Sequence, residues 1–370
     1  MRIRGISYGI DNKLLFCEVI LLNTNITLSQ EWANEPEFIK LRQSSELNWL
    51  YLLLPPRASA DFSKWTGRGR PRKPAASPVL TCLDDGTAKI TQGSACIYIE
   101  DYLRLTASCK GGFRPSTYKL LDYLIWQLDK ANPEPHASTL LTQLAIPLSD
   151  YILTCYGTRD ADTPQRRKDT RKELLKDLKF LQATLIALAA GTGKDGAVRI
   201  LDSRDVSRGQ INIVFSSQMA CYLLCKCKYM WFPIQMFCVS NKSPFAYRLG
   251  HALVLHSCIA NNQIRGTEGT ISVRTLLKYC RNLPSPDEVR RRNGNYKQAV
   301  IYPVTEALDA LADMEIIDWT YRSIADSDDA YAPADYAAFL TDYIDYTLQK
   351  APEGLKPTIM RKDEQKWKQD

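Results

Sequence analysis

Apolar and polar positions divide the 370-residue chain into a weakly patterned N-terminal part and two similar, helix-rich parts. Residues 1–55 hold short apolar runs at 14–22 and 50–54 between Asn- and Ser-rich turns, the pattern of a small mixed region or of a few short strands, and Pro55-Pro56 ends them. Strand-like pieces follow at 88–90 and 95–99. Between 117 and 130, Leu120, Leu121, Leu124, Ile125 and Leu128 form one helical stripe, which Pro133 and Pro135 stop. A shorter helix is expected over 148–155, behind Pro147. A long one is expected over 164–190, striped by Leu174, Leu175, Leu178, Leu181, Leu185 and Leu188 and closed by Gly191 and Gly193. Strands at 198–201 and 211–215, joined through 202–209, complete an order of helix, helix, long helix, hairpin.

That order then recurs. A helix is expected over 245–256. A short strand at 270–272 runs into a helix over 273–279, with Ser272 as N-cap. Residues 283–295 read as a polar connector, and the next helix, over 296–313, carries Val300, Val304, Leu308 and Leu311. A strand at 316–321, an Asp-rich turn or loop at 326–329 and a helix over 336–348 follow. The fold class expected is α+β: two tandem winged helix-turn-helix domains at 79–218 and 219–350. An N-terminal extension of short strands (1–56) and a flexible basic linker (57–78) precede them, and a charged tail (351–370) ends the chain.

Composition excludes some classes. With 45% apolar and 24% charged residues, the chain is neither wholly disordered nor collagen-like. Met1-Arg2-Ile3-Arg4 is basic, but no signal-peptide pattern follows, and Lys226, Lys228 and Pro233 interrupt the most apolar stretch, 219–239, so no membrane partner is expected. Eleven cysteines without framework spacing point to free thiols in a reducing, cytoplasmic compartment.

The net charge of +7 matters because it is concentrated. The linker holds Lys64, Arg68, Arg70, Arg72 and Lys73, with Asp61 its only acid, and its core Gly67-Arg68-Gly69-Arg70-Pro71-Arg72-Lys73-Pro74 resembles an AT-hook. A narrow A·T minor groove concentrates negative potential and has little room for side-chain bulk. Arg68 and Arg70 are expected to lie along its floor, since Gly69 adds nothing to collide with the walls. Pro71 keeps the chain extended, and Arg72 and Lys73 meet phosphates. The competing reading is a basic linker that only solubilises.

Residues 159–179 hold eight cations against five acids, with Arg166, Arg167, Thr170, Arg171 and Lys172 at the front of the long helix. A recognition helix presents those turns to the major groove, although a solvated helix face has the same composition. In the second unit Arg290, Arg291, Arg292, Asn295, Tyr296, Lys297 and Gln298 occupy the corresponding place, with side chains suited to guanine, adenine or phosphate. Arg204, Arg208 and Lys242 extend the footprint, and Arg274 and Lys278 are expected phosphate contacts.

Catalytic signals fail on spacing. Gly191-Thr192-Gly193-Lys194 follows a helix and lacks the P-loop spacing. His136, His251 and His256 form no ligand pair, and Cys221, Cys225 and Cys227 lack a matching second pair. No enzyme, metal or cofactor is expected.

Three passages carry a resemblance over residues 115–321: Ile211-Asn212-Ile213-Val214-Phe215-Ser216, Tyr247-Arg248-Leu249-Gly250-His251, and Gly269-Thr270-Ile271-Ser272-Val273-Arg274-Thr275-Leu276-Leu277. The region resembles the replication initiator proteins of bacterial plasmids and related mobile elements, built from two tandem winged helices. The resemblance implies a bacterial, DNA-associated protein that binds repeated double-stranded sites at an origin, and the hook-like segment implies A·T-rich ones. It also implies recruitment of host replication proteins and a first unit that pairs protomers into a homodimer or touches DNA. Base reading falls to Tyr296, Lys297 and Gln298, with Arg290, Arg291 and Arg292 in support. The long N-terminal part and the hook depart from the usual initiator and leave other readings open: a transcriptional or copy-number regulator of a mobile element, a module that binds or inhibits a host protein through an aromatic surface at 229–237, or an RNA-binding protein.

Overall fold

Helix formation between Pro115 and Ala131 has both a strong start and a strong reason to be buried. Pro115 occupies the first turn, the Thr117 hydroxyl accepts the Arg114 N–H at 3.2 Å, and apolar or packed side chains cover nearly every face up to Leu128. The computed structural model describes residues 38–53, 79–92, 94–108, 113–136, 139–157, 162–188, 193–243, 245–257, 268–280, 283–284, 286–292, 294–323 and 336–349. Chain order is β1 (Phe38–Gln43), α1 (Ser45–Leu53), β2 (Val79–Cys82), β3 (Ala88–Gln92), β4 (Ala95–Ile99), α2 (Tyr102–Ser108), α3 (Pro115–Ala131), β5 (Gln143–Pro147), α4 (Leu148–Tyr156), α5 (Pro164–Ala183), β6 (Thr184–Ile186), β7 (Val198–Arg199), β8 (Leu201–Ser207) and β9 (Gln210–Phe215). It continues with α6 (Ser217–Cys221), β10 (Lys228–Pro233), α7 (Ala246–Ser257), β11 (Glu268–Ser272), α8 (Val273–Leu276), α9 (Pro286–Arg291), α10 (Tyr302–Ala312), β12 (Ile317–Arg322), α11 (Tyr336–Thr341) and β13 (Tyr343–Leu348).

The fold is a mixture of helix and sheet in which one topology occurs twice. In the first unit α3, β5, α4, α5, β8 and β9 follow one another, and the sheet order is β5-β9-β8. In the second unit α7, β11, α8, α10, β12 and β13 come in the same order, with α9 inserted before α10 and α11 between β12 and β13, and the sheet order is β11-β13-β12. In both, the strand between the first two helices pairs antiparallel with the last strand. A five-stranded sheet, β2-β3-β4-β6-β7, flanks the first unit, and β1 pairs with β10 at the start of the second.

Several expected boundaries need correction. The long helix stops at Ala183, because Thr184, Leu185 and Ile186 pair with Ile99, Tyr98 and Ile97 of β4, and this distant partner overrides a helical leucine stripe. Residues 198–199 pair with β6, and the hairpin strand is Leu201–Ser207. Arg208 and Gly209 both have positive φ (52° and 74°), giving the two-residue turn whose twist matches flanking strands. The polar connector contains α9, and the N-terminal part is not all short strands, because the apolar run from residue 50 lies in helix α1 up to Leu53. The last expected helix ends at Thr341, and Tyr343–Leu348, alternately half-buried and buried, becomes the central strand of its sheet. Ser272 caps as expected, accepting the Thr275 N–H at 3.3 Å. The Asp-rich segment 326–329 and the charged tail 351–370 lie outside the described residues.

One apolar cluster runs from Ile39 to Leu348 and includes both units. At its centre is a polar junction. The Asp122 carboxylate on α3 is buried and accepts the Tyr51 hydroxyl from α1 at 2.5 Å and the Tyr247 hydroxyl from α7 at 2.8 Å. His251, also on α7, stacks on Tyr51 with ring centroids 3.9 Å apart, and its Nε2 lies 3.0 Å from the Gln43 amide nitrogen. Arg248 donates to the Tyr51 carbonyl oxygen. Burial pushes the Asp122 carboxyl up to about 7, against the lowering effect of the two phenols, and pushes His251 down to about 3. A neutral His251 Nε2 at 3.7 Å from Asp122 is therefore a neighbour and not an ion pair.

A carboxyl group with a raised folded pKa binds more protons folded than unfolded, so its contribution is present below about pH 4 and lost as pH rises through about 7. Asp122→Asn keeps an oxygen for both phenols but removes this titration. The stability gap between the native protein and the variant, measured by urea unfolding, is expected to be largest near pH 4 and to narrow toward pH 7. His251 follows the opposite trend in both proteins and cancels in the comparison. A gap that stays constant or widens contradicts the buried assignment.

Candidate nucleic-acid interface

The front of α5 is built to face outward. Pro164 stands in the first turn, and the Thr163 hydroxyl accepts the Arg166 N–H at 3.2 Å. Residues 163–169 are all exposed, so the positive end of the helix dipole and the side chains point at solvent together. Arg167 grips Asp162 through two 2.7 Å bonds, which hold that carboxyl below its ordinary value. The Arg166 guanidinium lies over the Tyr156 ring, 4.5 Å from its centroid. Gln165 donates to Asp169 at 3.0 Å, and Arg171 and Lys172 are exposed.

Thr170 departs from its expected DNA-contacting role. It is buried, because it shares the inner stripe of α5 with Leu174, Asp177 and Leu178. That stripe is locked to α3: Asp177 accepts Arg114 Nη2 at 2.8 Å and the Thr117 hydroxyl at 2.6 Å, while Glu173 pairs with Arg114 and with Lys176 at 2.9 Å. Desolvation still raises the Asp177 pKa, with the Arg114 charge opposing it. The same helix thus anchors the first unit by one face and offers cations on the other.

In the β8–β9 hairpin, Arg208 stands exposed at the tip. Arg204 is half-buried and donates to the Gln182 side-chain oxygen at 3.0 Å, tying the hairpin to the end of α5. In the second unit Arg290, Arg291, Arg292 and Gln298 are exposed, Lys278 is exposed, and Lys297 and Arg274 are half-buried. A π-helical turn, Lys297–Ile301, leads into α10, and the Asn295 side-chain oxygen accepts the Lys297 N–H at 2.9 Å. Tyr296 is half-buried and stacks on Tyr336 at 6.4 Å, which commits its ring to packing. The two basic fronts stand on separate helices. Arg68, Gly69, Arg70, Pro71, Arg72 and Lys73 lie outside the described residues.

The β1–β10 ribbon adds a cluster of cations on aromatic rings that the sequence did not reveal, with Lys40 exposed and Arg42 buried and paired with Asp129 at 2.7 Å. Lys40 lies 5.8 Å from the Tyr229 ring and 5.6 Å from the Trp231 ring, and Arg42 lies 3.9 Å from Tyr229. Register explains this: Lys40 pairs with Trp231 and Arg42 with Tyr229, from strands nearly two hundred residues apart. The aromatic surface expected at 229–237 shrinks to these rings, since Phe232, Met236 and Phe237 are core residues.

Lys194 serves packing: it donates to Asp85 and, at 2.9 Å, to the Thr87 hydroxyl. Among the described residues, no three His, Cys, Asp or Glu side chains are placed to hold a metal ion, and no helix is long and apolar enough to cross a membrane. No protein-family model matches the chain, and no curated protein matches it.

Thr163→Ala removes the α5 cap and is expected to cost about 1 kcal/mol in urea unfolding. An unchanged midpoint and slope would mean that the front of the helix does not depend on this cap.

Proposed function

We propose that the chain is a sequence-specific double-stranded DNA-binding protein made of two tandem winged helices, acting at repeated A·T-rich sites as the replication initiator of a plasmid or mobile element. What supports the reading is the recurrence of one topology with a basic front in each copy: exposed Arg166, Arg167, Arg171 and Lys172 on α5, and, before α10, exposed Arg290, Arg291, Arg292 and Gln298 with half-buried Lys297. In a winged helix the third helix enters the major groove and the hairpin approaches the flanking backbone, so Arg208 takes a phosphate-contacting role. The action is binding and not catalysis. Residues 67–74 add a tethered minor-groove contact, and linkage makes a weak second contact worth about tenfold or more. Regulation of a mobile element's transcription or copy number uses the same surfaces. Host replication proteins and a second protomer are the further partners proposed.

Fluorescence anisotropy on sites selected from random DNA tests this. With seven or eight phosphates engaged, log affinity is expected to fall with log salt with a slope of about −6 to −7. Arg208→Asn, which suits the left-handed turn, is expected to keep stability within about 0.5 kcal/mol and to reduce that slope by about 1. Lys297→Ala with Gln298→Ala is expected to cut discrimination between selected and scrambled duplex by about tenfold. Arg68→Ala with Arg70→Ala is expected to weaken binding where A·T tracts flank the site. A flat salt response, an unchanged discrimination ratio, or equal losses on G·C-flanked sites each contradict the corresponding assignment.

A further inference from the structure

A cleft of about 630 Å³ opens beneath α5, between its inner face, α3, α4 and the chain that follows β10. Sites for small molecules span roughly 300–1,000 Å³. The outer face of α5 serves the proposed DNA contact, and of the α5 residues in that reading only Arg166 also lines the cleft, at its rim.

Two polar groups in this cleft are poorly answered by the protein. The Thr170 hydroxyl is buried and has no hydrogen-bond partner among the described residues. Buried groups left so are uncommon and call for a partner. The Lys119 ammonium, only 3% exposed, donates to the Val239 carbonyl and faces the Tyr247 ring at 5.9 Å. An ammonium has three donors, and burial lowers the pKa of this one, so an acid group beside it would restore its charge.

The lining acids are largely spoken for. Asp177 and Glu173 are paired with Arg114, Glu173 also with Lys176, and Asp169 receives the Gln165 amide. Arg166 at the rim and exposed Lys242 add positive charge. Tyr151 and Tyr156 also line it, the latter with the Arg166 guanidinium over its ring. We propose that this cleft binds a small organic anion, with its carboxylate or phosphate on Lys119 and Thr170 and its apolar body against Tyr151 and Tyr156. The site stands apart from the DNA-binding reading and survives its failure.

Calorimetric titration of the full chain with benzoate, phenyl phosphate and neutral benzamide tests it. At least one acid is expected to bind at a single site, with benzamide about tenfold weaker or more, the scale of a lost hydrogen bond between charged groups. Binding by only one of the two acids identifies which group the cleft takes. Lys119→Met is expected to weaken the acid about tenfold and Thr170→Val about threefold, with circular dichroism unchanged. The proposal is overturned if benzamide binds as tightly as the acids, or if neither acid binds up to about 10 mM. It is equally overturned if a folded Thr170→Val protein binds the acid with unchanged affinity, a result that decides the matter even where Lys119→Met fails to fold.

Discussion

One buried carboxylate sets the relation between the two halves of the molecule. Asp122 stands on α3 of the first unit and receives phenols from α1 and from α7 of the second. In a dry core an unanswered carboxyl or hydroxyl is costly, so these bonds hold only one arrangement of the three helices. An apolar contact would tolerate sliding; this junction does not. His251, Gln43 and Arg248 extend it with a stacked ring and two further hydrogen-bonded groups. The orientation of one basic front relative to the other follows from it.

The division of labour within α5 follows the same logic. Its inner stripe of Thr170, Leu174, Asp177 and Leu178 is fixed by packing and by Arg114, so the exposed cations project from a rigid support. A guanidinium on a locked helix loses less freedom on meeting phosphate than one on a loop. Arg167 is paired with Asp162, so in the proposed complex it would exchange that carboxylate for a phosphate. The β8–β9 hairpin is tied to the other end of α5 through Arg204 and Gln182.

Local signals in the sequence went as far as local physics allows. The stripe from Leu120 to Leu128, the helix start at Pro164 and the cap at Ser272 were legible because each depends on neighbours within a turn or two. Thr184–Ile186 was not, because its strand character comes from β4, more than eighty residues earlier. Tyr343–Leu348 read as helix because its central position between β11 and β12 is a property of the sheet. Thr170 and Tyr296 sat within cationic stretches, and only packing separates the faces on which they lie. Cross-strand partners such as Lys40 and Trp231 leave no trace at short range.

Insertion of DNA between the half-sites probes the fixed junction most directly. Hydroxyl-radical footprinting on a selected site should show two protected windows on one face of the duplex, about one helical turn apart. Adding about five base pairs between them turns one window to the opposite face. Units held rigidly by the Asp122 junction then engage only one window, and affinity falls to that of a single half-site. Two intact footprints at undiminished affinity would show that the units turn freely, and would contradict the account.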